Sequence, residues 1–165
     1  MEIKMTFQTG APELNRIEKR VIEALAIAPF IKAVAEKIGK EEAMLILLEI
    51  NQQEAFQRGK NMAAEMDQVG IAALVDEVAG WGRGAKWEMD ILEQTGTTYF
   101  FNVTHCPYYE KYKESGLEEF GVGFSCCRDE PFARGFNPNL RLVRTQTIME
   151  GGDHCDFRYY LDGSD

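Results

Sequence analysis

The chain has 165 residues, a formal net charge of −9 and an apolar fraction of 45%. This length suits one domain with its own core, and an ordinary apolar fraction excludes a disordered or fibrous chain. The acidic excess would repel a phosphate backbone or an anionic bilayer, so we expect neither nucleic acid nor a membrane as partner. We expect a single domain over residues 1–165, with a helical portion over 1–82 and a portion with a sheet and short helices over 83–165 that carries the candidate site.

The N-terminus lacks a basic stretch followed by an apolar run and a cleavage site, and no apolar run is long enough to span a bilayer. We therefore expect a cytoplasmic protein. A reducing compartment disfavours structural disulfides, so the four cysteines are expected to be free thiols or ligands.

Helical spacing dominates the first half of the chain. Apolar residues recur every three or four positions from Leu14 to Ala28, which predicts an amphipathic helix opened by Ala11-Pro12-Glu13. Pro29 is expected to break or kink this helix. A second short helix should then cover 30–38 and stop at Gly39.

The longest helical pattern runs from Glu41 to about Val69, and Gly70 is expected to end it. One more short helix is expected over 71–78. The apolar face of the long helix and the 7 Met residues would serve a homo-oligomer as well as a core, so an oligomer stays open.

The second half changes to a strand pattern. Alternation over 87–91, a turn over 94–96 and β-branched and aromatic residues over 97–104 predict a hairpin. A second hairpin is predicted from 140–149 and 155–161, with short helices over 107–115 and 117–124 between the two. We therefore expect an α+β fold in which helices pack on about four antiparallel strands.

The cysteines and histidines lie only in this second half, where predicted elements begin or end. His105 and His154 each precede a cysteine, and Cys126-Cys127 lies ahead of a helix start at Asp129-Glu130-Pro131, with Asp129 as the expected cap. A thiolate can attack an electrophilic carbon while an imidazole or carboxylate moves the proton, and a helix start lowers a thiol pKa. The candidate catalytic residues are therefore Cys106, Cys126, Asp129 and His105.

Each candidate also has a structural interpretation. A free cysteine often fills a core, and Asp129 could be only a helix cap. His154 is expected to point outward or to lie in the turn over 150–153. Zinc is a further alternative, through Cys106, Cys126 and Cys155 with His105 or Asp129, although the spacing lacks the paired C-x-x-C pattern of typical zinc sites.

Three motifs carry a family resemblance. In order and spacing over roughly residues 40 to 162, the chain resembles the L-2-amino-thiazoline-4-carboxylic acid hydrolase family at Thr104-His105-Cys106-Pro107, Cys126-Cys127-Arg128-Asp129 and Gly152-Asp153-His154-Cys155. The resemblance implies a hydrolase that adds water to the amidine-like ring carbon of a 2-amino-thiazoline carboxylate and opens the ring to a carbamoyl-cysteine. More generally, it implies hydrolysis of a small cyclic C–N or C–S compound.

Within this resemblance we expect Cys126 or Cys106 to act as nucleophile or ligand, and Asp129 or His105 to move the proton. Cys155 should line the pocket, and Arg128 or Arg144 should bind the carboxylate of a small anionic heterocycle. No cofactor is required by this scheme, with zinc as the open alternative.

The last motif is also similar to 4-vinyl reductase-type small-molecule-binding domains. In zinc-carrying members of that group, a Glu and a Cys help to hold the metal, and the corresponding positions here are Arg144 and Thr147, which are not zinc ligands. This second resemblance keeps open a small-molecule or metal-binding sensor-type domain without catalysis.

Overall fold

A computed structural model describes residues 13–163, and its first helix begins at a capping box. The Asn15 side chain accepts a hydrogen bond from the Glu18 backbone N–H at 2.9 Å, and the Glu18 carboxylate accepts from the Asn15 N–H at 2.8 Å. Helix α1 then spans Arg16–Ile38. The predicted opening residues Ala11 and Pro12 lie outside the described residues.

The prediction that Pro29 separates two helices is wrong, because α1 continues through it to Ile38. Ala24 and Ala28 before the proline and Ile31 after it belong to the same buried cluster. Joint burial of both halves therefore outweighs the cost of a proline inside a helix, about 3 kcal/mol. The predicted end is confirmed at Gly39, whose φ of 95° favours glycine.

Helix α2 follows directly as Lys40–Ala64, and helix α3 spans Ile71–Ala79. The predicted extension of α2 to Val69 is wrong. The Val69 carbonyl accepts a hydrogen bond from the Asn137 side chain at 2.9 Å, which ties this segment to the end of a later helix. Tertiary contact thus holds the connection between α2 and α3 outside the helix.

The sheet consists of β1 Glu88–Gln94, β2 Thr98–His105, β3 Leu140–Val143 and β4 Cys155–Leu161. Its order is β1-β2-β4-β3, and every neighbouring pair is antiparallel. The α+β prediction with four antiparallel strands is therefore confirmed. Strand β3 is shorter than predicted, because the backbone after Val143 turns to the Asp156 carboxylate instead of continuing the ladder.

Alternate side chains of the two central strands face the helices. Phe101 of β2 and Phe157 of β4 are cross-strand partners whose rings stack with centroids 4.7 Å apart. Together with Tyr99, Val103 and Tyr159 they form the centre of the main core cluster. A second cluster lies among α1, the start of α2 and the short helices that follow β2.

Short helices connect the two hairpins: α4 Pro107–Glu114, α5 Gly121–Phe124 and α6 Asp129–Phe136, with 3-10 turns at Glu118–Phe120 and Cys126–Arg128. The prediction that Asp129 caps α6 is wrong. Arg128 occupies the cap position, Asp129 is the first helical residue, and its carboxylate pairs with Arg144. Within residues 13–163, no helix combines the length and apolarity needed to cross a bilayer.

Helices α2 and α6 approach each other so closely that two glycines are required. A β-carbon at Gly59 would lie 2.3 Å from the Phe132 carbonyl oxygen, and one at Gly135 would lie 2.1 Å from the Phe56 carbonyl oxygen. Both obstacles are backbone atoms, which cannot rotate away. This close contact sets the position of α6 and of Asp129 at its start.

Gly135→Ala should therefore destabilise the protein by about 3 kcal/mol or more, the upper end for overpacking a core. Urea unfolding followed by circular dichroism measures the change. Gly96→Ala is the matched control, because a β-carbon there meets nothing within 4 Å. Equal stability of the two variants would contradict the close approach of α2 and α6.

Candidate active site

Six of the seven site residues expected from the sequence line one cavity where the helices meet the sheet. The cavity is small and partly open to solvent. The six are Cys106, Cys126, Arg128, Asp129, Arg144 and Cys155. The convergence of three remote segments on one cavity is thus observed.

Element ends bring these side chains together. Cys106 is the cap residue of α4 directly after β2, and Cys155 is the first residue of β4, where it pairs with Val103. Cys126 belongs to the 3-10 turn that leads into α6. Successive side chains within a strand point to opposite faces of the sheet. Side chains at the ends of strands and helices are not restricted in this way, so side chains from different segments can face the same cavity.

The Asp129–Arg144 ion pair lies in this cavity. One guanidinium nitrogen of Arg144 lies 2.6 Å from the Asp129 carboxylate, and the other donates to the Cys126 carbonyl at 2.7 Å. Burial raises the pKa of Asp129, although Arg144 opposes the rise. The carboxylate keeps 21% of its side-chain surface exposed, so a molecule in the cavity can reach it.

A hydrogen-bonded loop holds Arg144 in this place. The Asp156 carboxylate accepts bonds from the Thr145 N–H at 2.9 Å, the Thr145 hydroxyl at 2.7 Å and the Gln146 N–H at 2.8 Å. Burial alone would raise the pKa of Asp156, but these donors lower it overall. Asp156 thereby anchors the residue that follows Arg144 in the chain.

The cavity thiols are held in the neutral form. Burial raises the pKa of Cys106 to about 11 and also raises the pKa of Cys155. Burial, followed by the Asp129 carboxylate, raises the pKa of Cys126 well above its usual range. The expectation that a helix start lowers the thiol pKa is therefore reversed, because desolvation and a nearby negative charge outweigh the helix.

Two arginines missed by the sequence interpretation also line the cavity. Arg16 and Arg20 project from α1, four residues apart and hence on the same side of the helix. Arg16 pairs with the half-buried Glu77 at 2.6 Å, whereas Arg20 pairs with Glu23, whose side chain is 59% exposed. The sequence feature that could have identified these two arginines is their four-residue spacing next to the apolar face of α1.

Arg128 is tied to helix α2. Its guanidinium donates to the Asn51 side chain at 2.6 Å and pairs with Glu54. Burial and the neighbouring Arg20 lower the pKa of Arg128 to about 10, which leaves it protonated at neutral pH. The cavity lining therefore contains four guanidinium groups and one carboxylate, and carboxylates outside the lining, Glu77, Glu23 and Glu54, neutralise three of the guanidinium groups.

Aromatic rings form the apolar walls of the cavity. Trp81 and Trp87 meet edge to face at 6.4 Å, and Trp87 meets Tyr108 in the same way at 6.2 Å. The Arg144 guanidinium lies 5.0 Å from the centroid of the Phe157 ring. These walls lower the local dielectric, which strengthens the interactions among the charges.

Three other candidates lie away from this cavity. His105, expected beside Cys106, lines a neighbouring surface depression, and its ring lies 3.4 Å from the Glu110 carboxylate. His154 is hydrogen-bonded to Gln146 in the turn before β4. The Cys127 thiol donates to the Gly123 carbonyl at 3.1 Å. Cys106 borders both this depression and the cavity, so proton transfer between His105 and Cys106 stays a prediction.

The donor set does not fit a metal ion in the described part of the chain. Over residues 13–163, no three His, Cys, Asp or Glu side chains are grouped as a metal would need. His105 is separated from the cavity, and Arg144 binds the Asp129 carboxylate. Zinc binding through Cys106, Cys126, Cys155 and His105 stays a prediction, and no chemical step below depends on it.

A comparison with known protein families identifies the family of this chain. The family model described as L-2-amino-thiazoline-4-carboxylic acid hydrolase matches residues 19–159. This match confirms the resemblance drawn from the three sequence motifs. A search of curated proteins gives no match.

The raised thiol pKa values predict low reactivity. At pH 8 a thiol with a pKa of about 11, as for Cys106, is ionised to roughly one part in a thousand. Iodoacetamide should therefore label Cys106 and Cys126 at least about tenfold more slowly in the native protein than in denaturant, and faster as pH rises. Peptide mass spectrometry measures both rates. Labelling of either thiol at the denatured rate at pH 8 would show that it is ionised.

Proposed function

Because the chain belongs to the L-2-amino-thiazoline-4-carboxylic acid hydrolase family, we propose that its cavity hydrolyses a small cyclic isothiourea carrying a carboxylate, such as 2-amino-thiazoline-4-carboxylate. The observation that carries this proposal is that a reachable carboxylate, Asp129, and the guanidinium of Arg20, whose partner Glu23 is exposed, line one aromatic-walled cavity.

The charges of the cavity complement those of such a substrate. A 2-amino-thiazoline is an amidine-like base, so its protonated ring and its carboxylate give it two opposite charges. The protonated ring would lie against Asp129. The carboxylate would be bound by Arg20, since a surface pair with the exposed Glu23 contributes little and is easily exchanged.

Arg144 and Arg128 then have other roles from those expected. Arg144 orients Asp129 and holds the Cys126 carbonyl, while Arg128 is committed to Asn51 and Glu54 on α2. Arg16 is likewise committed to Glu77, so Arg20 is the group assigned to fix the anion.

We assign proton transfer to Asp129. Its carboxylate takes a proton from water as the water oxygen bonds to the ring carbon between sulfur and nitrogen. The tetrahedral carbon then expels one ring heteroatom, which receives the proton back from Asp129, while the new hydroxyl group loses its own proton to solvent as it becomes the carbonyl. Expulsion of sulfur opens the ring to a carbamoyl-cysteine with a free thiol, and the raised pKa of Asp129 makes its carboxylate a stronger base than an exposed one.

Direct attack by water is preferred over attack by Cys126 or Cys106. A thiolate is the nucleophilic form of cysteine, and burial keeps these thiols protonated. In this scheme the neutral thiols of Cys106, Cys126 and Cys155 line the ring pocket as polarizable apolar groups. A covalent enzyme intermediate at Cys126, detected by mass spectrometry during turnover, would replace the water route.

The alternative is a sensor-type domain that binds the same molecule unchanged. Calorimetric binding of 2-amino-thiazoline-4-carboxylate, with the compound recovered intact after long incubation, would establish that alternative. Stoichiometric zinc in purified protein, removable by a chelator, would establish the metal site instead.

Asp129→Asn should lower kcat by about 10² to 10⁴-fold, the usual contribution of a general base. Substrate loss and product formation are followed by chromatography, with a thiol reagent to detect expelled sulfur. Asp153→Asn is the control, because its side chain is 85% exposed and outside the cavity. A folded Asp129→Asn variant with normal kcat would remove Asp129 from the mechanism.

Arg20→Gln should raise KM about tenfold or more with a smaller change in kcat, because a charged hydrogen bond contributes roughly 1.5 to 3 kcal/mol. The defect should disappear for a substrate analogue without the carboxylate. Lys19→Gln tests the same charge change at a neighbouring exposed position on α1. An equal effect of Arg20→Gln on both substrates would argue against carboxylate binding at Arg20.

A further inference from the structure

Glu77 collects three hydrogen-bond donors on one carboxylate oxygen next to the cavity. Its Oε1 atom accepts from a guanidinium nitrogen of Arg16 at 2.6 Å, from one of Arg58 at 3.1 Å and from the indole nitrogen of Trp81 at 3.3 Å. The Glu77 side chain keeps 11% of its surface exposed. Arg16 and Trp81 line the cavity, whereas Glu77 lies outside the lining. Glu77 therefore acts on the cavity through these two neighbours.

The carboxylate of Glu77 joins three helices. Arg16 begins α1, Arg58 lies on α2 and Glu77 lies on α3. Burial lowers the pKa of Arg58, and the charge of the nearby Arg16 lowers it further, while Glu77 opposes both effects. Removal of the negative charge of Glu77 would therefore leave two adjacent guanidinium groups without their shared counter-ion.

The two arginines that α1 supplies to the cavity differ in how firmly they are paired. Arg16 is paired with the carboxylate of Glu77, whereas Arg20 is paired with Glu23, whose side chain is 59% exposed. An exposed ion pair contributes little and exchanges readily, but loss of one partner from a buried pair leaves an uncompensated charge. A ligand carboxylate can therefore replace Glu23 at Arg20, while the partner of Arg16 stays in place.

We propose that Glu77 determines the charge of the ligand: by holding Arg16 it leaves Arg20 as the exchangeable guanidinium among the described residues, and so limits the ligand to a single carboxylate. The two other arginines of the lining are already committed to partners on α2 and α6. A second carboxylate on the ligand would lose hydration without a matching cation, which costs free energy. This inference rests on the proposed function, from which it takes carboxylate binding at Arg20.

Calorimetric binding of two saturated ring compounds tests the proposal. Thiazolidine-4-carboxylate carries one carboxylate and thiazolidine-2,4-dicarboxylate carries two, and neither compound has the amidine-like carbon that hydrolysis needs. The native protein should bind the dicarboxylate no more tightly than the monocarboxylate. Glu77→Gln keeps an acceptor oxygen but removes the charge that neutralises Arg16. This variant should therefore raise the affinity for the dicarboxylate relative to the monocarboxylate about tenfold, the effect of one charged hydrogen bond.

Asp76→Asn is the matched control, because it removes the same charge from the neighbouring, exposed residue of α3. This variant should leave the ratio of the two affinities unchanged. Circular dichroism verifies that each variant is folded. If Glu77→Gln is unstable, its combination with Arg58→Gln serves instead, because the double variant keeps the native net charge of the group while it leaves Arg16 without a carboxylate. The same change in ratio is expected.

The proposal is overturned by an unchanged ratio in the folded Glu77 variants, by an equal change in Asp76→Asn, or by a native protein that prefers the dicarboxylate or binds neither compound. Equal weakening of both ligands would show that Glu77 only supports the fold. Turnover of 2-amino-thiazoline-4-carboxylate is measured separately. A changed ratio without turnover would reject the hydrolase and keep this inference, whereas turnover with an unchanged ratio would do the reverse.

Discussion

The ion pair between Asp129 and Arg144 is the interaction on which the cavity depends. It joins the first residue of α6 to the segment that follows β3, and Arg144 extends the link to the carbonyl of Cys126. Asp156 fixes the neighbouring loop, and the close contact of α2 with α6 fixes Asp129. The two charges are thus held in a low-dielectric space by contacts from four different elements, which makes their arrangement rigid before any ligand binds.

This rigidity explains how a carboxylate and several thiols can share a cavity without mutual activation. Burial raises the pKa of Asp129 and the Arg144 guanidinium opposes that rise, while burial and the same carboxylate raise the pKa of the Cys126 thiol. Desolvation disfavours every charged form, so only the group with a tightly bound counter-ion retains useful acid–base chemistry. The division of roles between Asp129 and the cysteines follows from this competition.

Helix α1 belongs to the cavity although it lies in the N-terminal half of the chain. One side of it supplies Arg16 and Arg20 to the cavity lining. The N-terminal half, which contains neither Cys nor His, therefore shapes the site as much as the second half does.

Local pattern by itself determined the fold class, the β1–β2 hairpin, the end of α1 at Gly39 and the family motifs, because these follow from periodicity, turn residues and short-range spacing. It also named seven candidate site residues, of which six line the cavity, because Cys106, Cys126, Asp129 and Cys155 lie at or near the ends of predicted elements. Only the tertiary structure decided the rest. Burial of residues on both sides of Pro29 keeps α1 continuous, and the bond from Asn137 holds Val69 outside α2. The Asp129 carboxylate forms an ion pair with Arg144 instead of capping α6. The thiol pKa values and the participation of Arg20 likewise depend on desolvation and on neighbours remote in the chain, which no local pattern records.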